Sequence, residues 1–317
     1  MLVIPRETFY SAAMSSWSSL APILIAVFAI AMGSSIDAMV KAIAPNAGLH
    51  HLLAWRFLFG GIIALSVFRI QKRPTPSWSS IRFHTMRGLV QLACAYTFFF
   101  ALIHLPLAVA TIIGFTAALM VPFVARALLG ERVTRLALVA TLIGFTGAVL
   151  AVMGRPQSGE ASELWLLGAI SCFLAAFLYA FGLVLLRMRA THEDATTIAM
   201  FTNVVPAIAL LPITFGLLGP PDWSDIPLFL MFGVLGFATW YLMTLAYARA
   251  PAQRLAPLEY SALIWSGLFG SVFFQEYPGW QTWLGAVVII AACLIVAFED
   301  RFATRKETGQ PVSDLPE

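Results

Sequence analysis

The chain has 317 residues, 60% of them hydrophobic and 11% charged, with a mean hydropathy of +0.86 and a net charge of +3. A soluble domain carries about 25% charged residues, so this composition excludes a water-soluble globular domain. The small positive balance excludes nothing and implies no nucleic-acid partner, because it resides in loops that meet anionic headgroups.

Apolar segments follow one another at 19–40, 51–69, 85–103, 107–128, 134–153, 164–187, 196–218, 227–248, 252–274 and 281–298. Each is near the ~20 residues that carry a helix across the hydrocarbon core. The first follows a weakly basic stretch with Arg6, has no small-x-small cleavage site after it, and reads as a retained signal anchor. The third is short and closes at the tight turn His104-Leu105-Pro106. After the tenth, a polar tail from Glu299 reads as a short disordered end. Cys94, Cys172 and Cys293 all fall in apolar segments, which argues against a disulfide framework and a metal cluster.

Lysine and arginine fix the orientation. Arg6, the connections after the second, fourth, sixth and eighth segments, and the tail hold all of them except Lys41, Arg155 and Arg56. Basic loops stay cytoplasmic, so both termini lie inside and the number of spans is even. The expected fold is an all-α integral membrane protein of ten helices.

A shift of 145 residues lays Ala101 on Ala246, Pro106 on Pro251, Phe115 on Tyr260 and Glu131 on Glu276. Each acidic residue closes a long apolar helix, and a helix with Gly144 or Gly285 follows. Two halves of five spans each must enter from opposite sides, an inverted repeat of the kind secondary transporters use for alternating access. The expected division is 1–18 cytoplasmic N-terminus, 19–153 first repeat, 154–163 external linker, 164–298 second repeat and 299–317 cytoplasmic tail.

With Trp55-Arg56-Phe57, Gly130-Glu131-Arg132 and the Glu276-then-Gly285 pattern in view, the chain resembles the drug/metabolite transporter superfamily of the ten-span EamA type. The resemblance covers about 19–298 and implies a carrier of amino acids, nucleotides, vitamins, polyamines or their derivatives. Ala256-Pro257-Leu258-Glu259-Tyr260 is similar to the branch that includes S-adenosylmethionine carriers. Two features depart from the family pattern: Phe201 stands where the second half would repeat Arg56, and Pro122 lies close to Glu131.

Charged groups inside a membrane are costly and call for a reason. Glu259 lies about seven residues into the ninth span, roughly 10 Å from the cytoplasmic surface at 1.5 Å per residue. It is either a proton or substrate-amine site, or a carboxylate that pairs with Arg254 or snorkels. Arg56 either holds an anionic substrate group bidentately or pairs structurally with Asp37, which has Lys41 four residues on as a local partner. These three are the candidate outer gate. Tyr96, Tyr179, Trp240, Tyr260 and Trp265 put rings near the middle of their spans, where they either stack on a flat or cationic solute or simply pack. Gln91 is a candidate cavity-lining group and Asn203 a helix-to-helix hydrogen-bonding one. Glu131 and Glu276 are the structural pair of the repeat, with Arg132 or Arg135 near the first. His104 reads as a solvated turn histidine, and His50-His51 as a loop pair with no third metal ligand nearby.

No phosphate-loop, His-Glu-x-x-His or Gly-x-Ser-x-Gly pattern is present, which argues against ATP drive and against an enzyme. The expected activity is secondary transport of a small organic metabolite across the inner membrane: nucleoside-, flavin- or S-adenosylmethionine-like, or amino-acid-derived. The solute and the lipid bilayer are the expected partners, a proton is the candidate coupling ion, and no cofactor or metal is expected. The alternatives are a lipid-flipping membrane protein and an amino-acid or drug exporter of the same fold.

Overall fold

A computed structural model describes residues 6–154, 163–189, 193–219, 223–247 and 255–307. Arg155, Arg249, Pro251 and Arg254, and most of the expected external linker, lie outside the described residues. The described residues form helices and short 3-10 and π turns, with no strand among them. The α-helices are α1 (Arg6–Ala47), α2 (Leu49–Ile70), α3 (Trp78–His104), α4 (Leu107–Leu129), α5 (Arg135–Met153), α6 (Trp165–Arg189), α7 (Ala195–Ile213), α8 (Ile226–Tyr247), α9 (Ala262–Phe274) and α10 (Trp280–Glu307). Among the described residues eight helices are long and apolar enough to cross a membrane, and the stretches Leu258–Phe274 and Trp280–Val296 are shorter apolar helices.

Helix ends follow local chemistry. The Ser77 hydroxyl oxygen accepts the Ser80 N–H at 3.2 Å to open α3. Thr134 does the same for Ala137 at 3.0 Å in α5, and Asp194 for Thr196 at 3.0 Å in α7. Gly130 ends α4 in the left-handed conformation (φ 72), its N–H bonded to Arg126 O at 3.1 Å. Gln275 ends α9 with φ 54, a conformation that costs a residue with a Cβ. Its reward is positional, since it turns the next residue, Glu276, back toward the bundle.

Several boundaries differ from expectation. α1 runs to Ala47 rather than stopping at 40, and α10 continues to Glu307, so the first part of the expected disordered tail is helical. α3 begins at Trp78 and spans 27 residues, because the polar stretch before the apolar run is itself helical and buried against α7. The ninth segment is not one regular helix: a 3-10 turn, Ala256–Ser261, with Pro257 in its opening, precedes α9. α7 likewise ends in a π turn at Thr214–Leu218, just past Pro212.

The helices pack chiefly as α5 on α10, α3 on α6, α2 on α7 and α1 on α8. Phe57, Phe229, Phe232, Leu102 and Leu105 are fully buried in the largest core cluster. Leu142, Leu166 and Val287 are at least 62% exposed on outward faces, as expected of surfaces that meet acyl chains instead of water. The tightest seam joins α5 and α10. A Cβ added to Gly285 would lie 2.4 Å from Gly147 O and 2.8 Å from Ala151 N. Only glycine permits that backbone approach.

Candidate solute-binding and gating sites

At the end of α1, Lys41 Nζ lies 2.5 Å from Glu276 Oε1, with only 12% and 15% of the two side chains exposed. Lys41 also donates to Leu105 O, and its ammonium sits 5.6 Å from the centre of the Phe274 ring. The other carboxylate oxygen, Oε2, accepts the Leu107 N–H at 2.9 Å. Glu276 therefore caps the positive end of α4 while neutralising Lys41. The expected local pairing of Lys41 with Asp37 is replaced by this long-range one, because a carboxylate at a helix N-terminus offers the ammonium a better-solvated partner than a neighbour on the same helix.

Glu131, at the close of α4, is 3.7 Å from Arg187 Nη2 on α6. Here the side chains are 48% and 54% exposed. Its partner is thus Arg187, not the neighbouring Arg132 or Arg135.

Asp37 on α1 and Arg56 on α2 act electrostatically on one another, and no ion pair joins them among the described residues. The Arg56 guanidinium lies 4.8 Å from the centre of the Phe57 ring and 5.4 Å from that of Phe99. Its Nε is buried without a hydrogen-bond partner among the described residues. Trp265 Nε1, Ser261 Oγ and Thr239 Oγ1 are in the same condition.

The aromatic candidates do not form one cage. The Tyr96 hydroxyl is hydrogen-bonded to His50 Nδ1, and His50 Nε2 meets Thr214 Oγ1 at 3.0 Å, so Tyr96 ties α3 to α2 and to the π turn. This also gives His50 a structural place that a loop histidine would lack. Tyr260 meets Phe115 edge-on, with ring centroids 5.2 Å apart. Glu259, exposed in the 3-10 turn, acts electrostatically on both Tyr179 and Tyr260, with Tyr179 41% exposed on α6. Trp265 rests against Phe269, while Trp240 is 45% exposed on α8. Gln91 is half-buried on α3. Asn203 bonds Ala199 O at 2.9 Å and packs its amide over Gly60. His104 is half-buried against the Phe100 ring, 4.5 Å between centroids, rather than solvated.

Sequence reasoning missed one cluster entirely. His84, fully buried, bonds Glu193 Oε2, which also accepts from Ser80 Oγ at 2.9 Å. Arg87 donates to Thr202 Oγ1 and, at 3.1 Å, to Ile198 O. Phe201 stacks on the His84 ring at 5.2 Å. The partners are more than a hundred residues apart in sequence, so nothing local announces the cluster. Glu193→Ala removes the acceptor shared by His84 and Ser80, and is expected to cost about 1–3 kcal/mol, read as a lowered Tm in detergent.

An apolar groove on the outer side of α3, lined by Trp78, Met86, Leu89, Val90 and Leu178 with Arg82 at one end, lies apart from these groups.

Long apolar helices with charged groups held between them define a multi-pass membrane protein. The model of the EamA-like transporter family matches residues 14–153 and 166–298, and the chain belongs to that family. It is 23% identical to an S-adenosylmethionine uptake transporter of Rickettsia bellii, over 89% of this chain and 94% of the relative. It is also 23% identical to the pseudopaline exporter CntI of Pseudomonas aeruginosa, over 87% and 95%. A riboflavin transporter of Brucella anthropi is 25% identical over 79% of this chain and 88% of its own length. A solved crystal structure shares the fold with a TM-score of 0.60 at 20% identity, covering 89% of this chain and 97% of that one. The protein is a small-molecule transporter and not an enzyme.

Proposed function

We propose that the chain is a secondary transporter that moves a small organic metabolite across the inner membrane by alternating access. In this reading ten spans form two inverted five-helix repeats with both termini inside. The observation that carries it is a pair of ion pairs. Lys41–Glu276 and Arg187–Glu131 are related by shifts of 146 and 145 residues, and each joins the end of one half's first helix to the glutamate that closes the other half's fourth. One is tight and buried, the other loose and exposed. Two locks on opposite sides, closed in turn, are what alternating access requires.

Further symmetry supports the reading. Gly130 and Gln275, also 145 apart, both take left-handed conformations just before the two glutamates. Phe115 and Tyr260 fall on one another under the same shift and touch, as counterparts beside a two-fold axis must. With the outer lock closed and the inner one loose, the conformation is inward-facing.

Relatives named for S-adenosylmethionine, pseudopaline and riboflavin keep the solute class broad. Glu259, beside Tyr179 and Tyr260, is the candidate for proton coupling. The test is uptake of radiolabelled S-adenosylmethionine and riboflavin into vesicles carrying the exposed pair as cysteines, Glu131→Cys with Arg187→Cys, a loose ion pair that contributes little by itself. Cross-linking the pair is expected to stop uptake and reduction to restore it. Uptake that continues with the pair cross-linked would refute alternating access through these locks.

Lipid flipping is the second reading, favoured by the groove on α3 with Arg82 at its end. Scrambling of labelled lipid without solute uptake in the same vesicles would select it.

A further inference from the structure

We propose that the groove between α3 and α6 seats one anionic phospholipid of the cytoplasmic leaflet, with its phosphate on Arg82 and an acyl chain laid along α3 toward Ala93. The inference goes beyond the transporter reading: it assigns a resident lipid, neither the transported solute nor a lipid in transit. Its side of the membrane follows the orientation proposed above.

The first ground is the shape of the groove. Trp78, Arg82, Met86, Leu89 and Ala93 follow one another at steps of three or four along α3, so they share one helical face. Leu178 of α6 forms the opposite wall. The groove encloses about 660 Å³, within the range of about 300–1,000 Å³ found for small-ligand sites. It is a depression, not the smooth flank of a span. Met86 and Leu89 are 44% and 47% exposed, so the apolar lining is open to acyl chains.

The second ground is its polarity, which is confined to one end. Arg82 is exposed there, with no ion pair or hydrogen bond among the described residues. Nearby Arg73 and Arg87 are engaged, the first 3.3 Å from Asp194 Oδ1 and the second donating to Ile198 O at 3.1 Å. A planar guanidinium with unspent donors fits a phosphodiester through two parallel hydrogen bonds. Trp78, one turn nearer the helix end and 72% exposed, is placed at headgroup level, where indole rings gather. The cytoplasmic leaflet supplies the complementary anionic lipid.

The third ground is length. Arg82 to Ala93 spans roughly 16 Å at 1.5 Å per residue, about half of the ~30 Å hydrocarbon core. A chain anchored at Arg82 therefore lies within one leaflet. Farther along, the two helices are stitched together: Cys94 Sγ meets Ala175 O at 3.4 Å, and Ser171 Oγ donates to Thr97 O at 2.9 Å. A groove that stops at mid-membrane suits a resident lipid better than a crossing lipid or a partner helix. An acyl chain gains little by leaving the bilayer for the groove, because lipid tails are as apolar as the side chains that line it. Headgroup charge decides instead, and one basic residue near the surface is worth about fivefold in binding. Since α3 and α6 lie in the two separately matched segments of the chain, the lipid touches both.

The test uses the purified full chain in detergent, read by native mass spectrometry and by thermal shift. The probes are phosphatidylglycerol and phosphatidylcholine with identical chains, and glycerol phosphate as the headgroup alone. The wild-type protein is expected to hold one phosphatidylglycerol about fivefold more tightly than phosphatidylcholine, and glycerol phosphate is expected not to stabilise it. Arg82→Gln removes the preference and leaves phosphatidylcholine binding unchanged. Arg69→Gln, at an exposed position on α2 outside the groove, keeps the preference. Ala93→Trp fills the far end and weakens both lipids alike. Equal binding of the two lipids by the wild-type protein overturns the seat without recourse to any variant. An equal loss in Arg69→Gln would reduce it to diffuse surface charge, and an Ala93→Trp protein that binds as before would remove the acyl chain from the groove. Stabilisation by glycerol phosphate as large as that by the lipid would make it a free-phosphate site. Scrambling of labelled phosphatidylglycerol that Arg82→Gln abolishes would overturn residence and select lipid flipping. Solute uptake is a separate readout, so the seat and the transporter reading fail independently.

Discussion

Lys41→Met is expected to lower solute uptake at least about tenfold and to destabilise the protein, with Glu276→Ala doing so more severely. Removing one partner of a buried pair typically costs about 3–5 kcal/mol. This pair is 12% and 15% exposed, so about 2–3 kcal/mol is the reasonable expectation. Each 1.4 kcal/mol is roughly a decade in an equilibrium constant, which makes such a loss enough to empty the conformation that this pair closes. The two partners are not equivalent. Lys41→Met strands the Glu276 carboxylate but leaves its bond to the Leu107 N–H. Glu276→Ala strands the ammonium and also uncaps α4. Glu276→Gln separates the effects, since its amide oxygen still accepts from Leu107 while no longer neutralising Lys41. The ranking expected is Ala worse than Gln at 276, with Lys41→Met combined with Glu276→Gln less damaging than the two single costs added. Uptake rates and Tm values for this double-mutant cycle check it. Strict additivity would mean the two side chains do not form a lock.

Gly285→Val is expected to prevent a folded protein from accumulating, and Gly285→Ala to cost about 3 kcal/mol or more. The added carbon meets backbone, Gly147 O at 2.4 Å and Ala151 N at 2.8 Å, and no rotamer change can move a backbone atom aside. Relief requires α5 and α10 to separate along their length, which forfeits packing on both faces of the seam. The control is Gly267→Ala, where the nearest atom is the Trp283 ring at 3.6 Å, an ordinary contact. Size-exclusion profiles and Tm in detergent are the readout. A Gly285→Ala protein as stable as Gly267→Ala would show that the seam is looser than these distances.

How much of this was legible in the chain differs from element to element. Hydropathy alone locates the apolar helices, because a span must satisfy its backbone internally and exclude water over a known length. It fails at α3, whose first turns carry Arg82, His84 and Arg87 and read as loop. Their burial depends on Glu193 and Thr202, which no local window contains. Lys41 shows the same limit. A rule of nearest neighbours on one helix selects Asp37, whereas the tertiary partner is Glu276, placed by the left-handed Gln275 and the open end of α4. Arg56 and Asp37 were recognisable as costly, and cost marks a residue without saying what it faces. For Tyr96 stacking on a solute and simple packing stayed open in the sequence, because ring position along a span says nothing about direction around it; the hydroxyl meets His50.

The α5–α10 seam also dictates an order of assembly. Its two sides lie near the middle and near the end of the translated chain, and Gly285 emerges from the ribosome long after Gly147 has been inserted. Until then the face of α5 at Gly147 and Ala151 lacks the α10 backbone it packs against and must be covered by lipid or by the insertion machinery. A chain interrupted before Trp280 would keep that face bare for good.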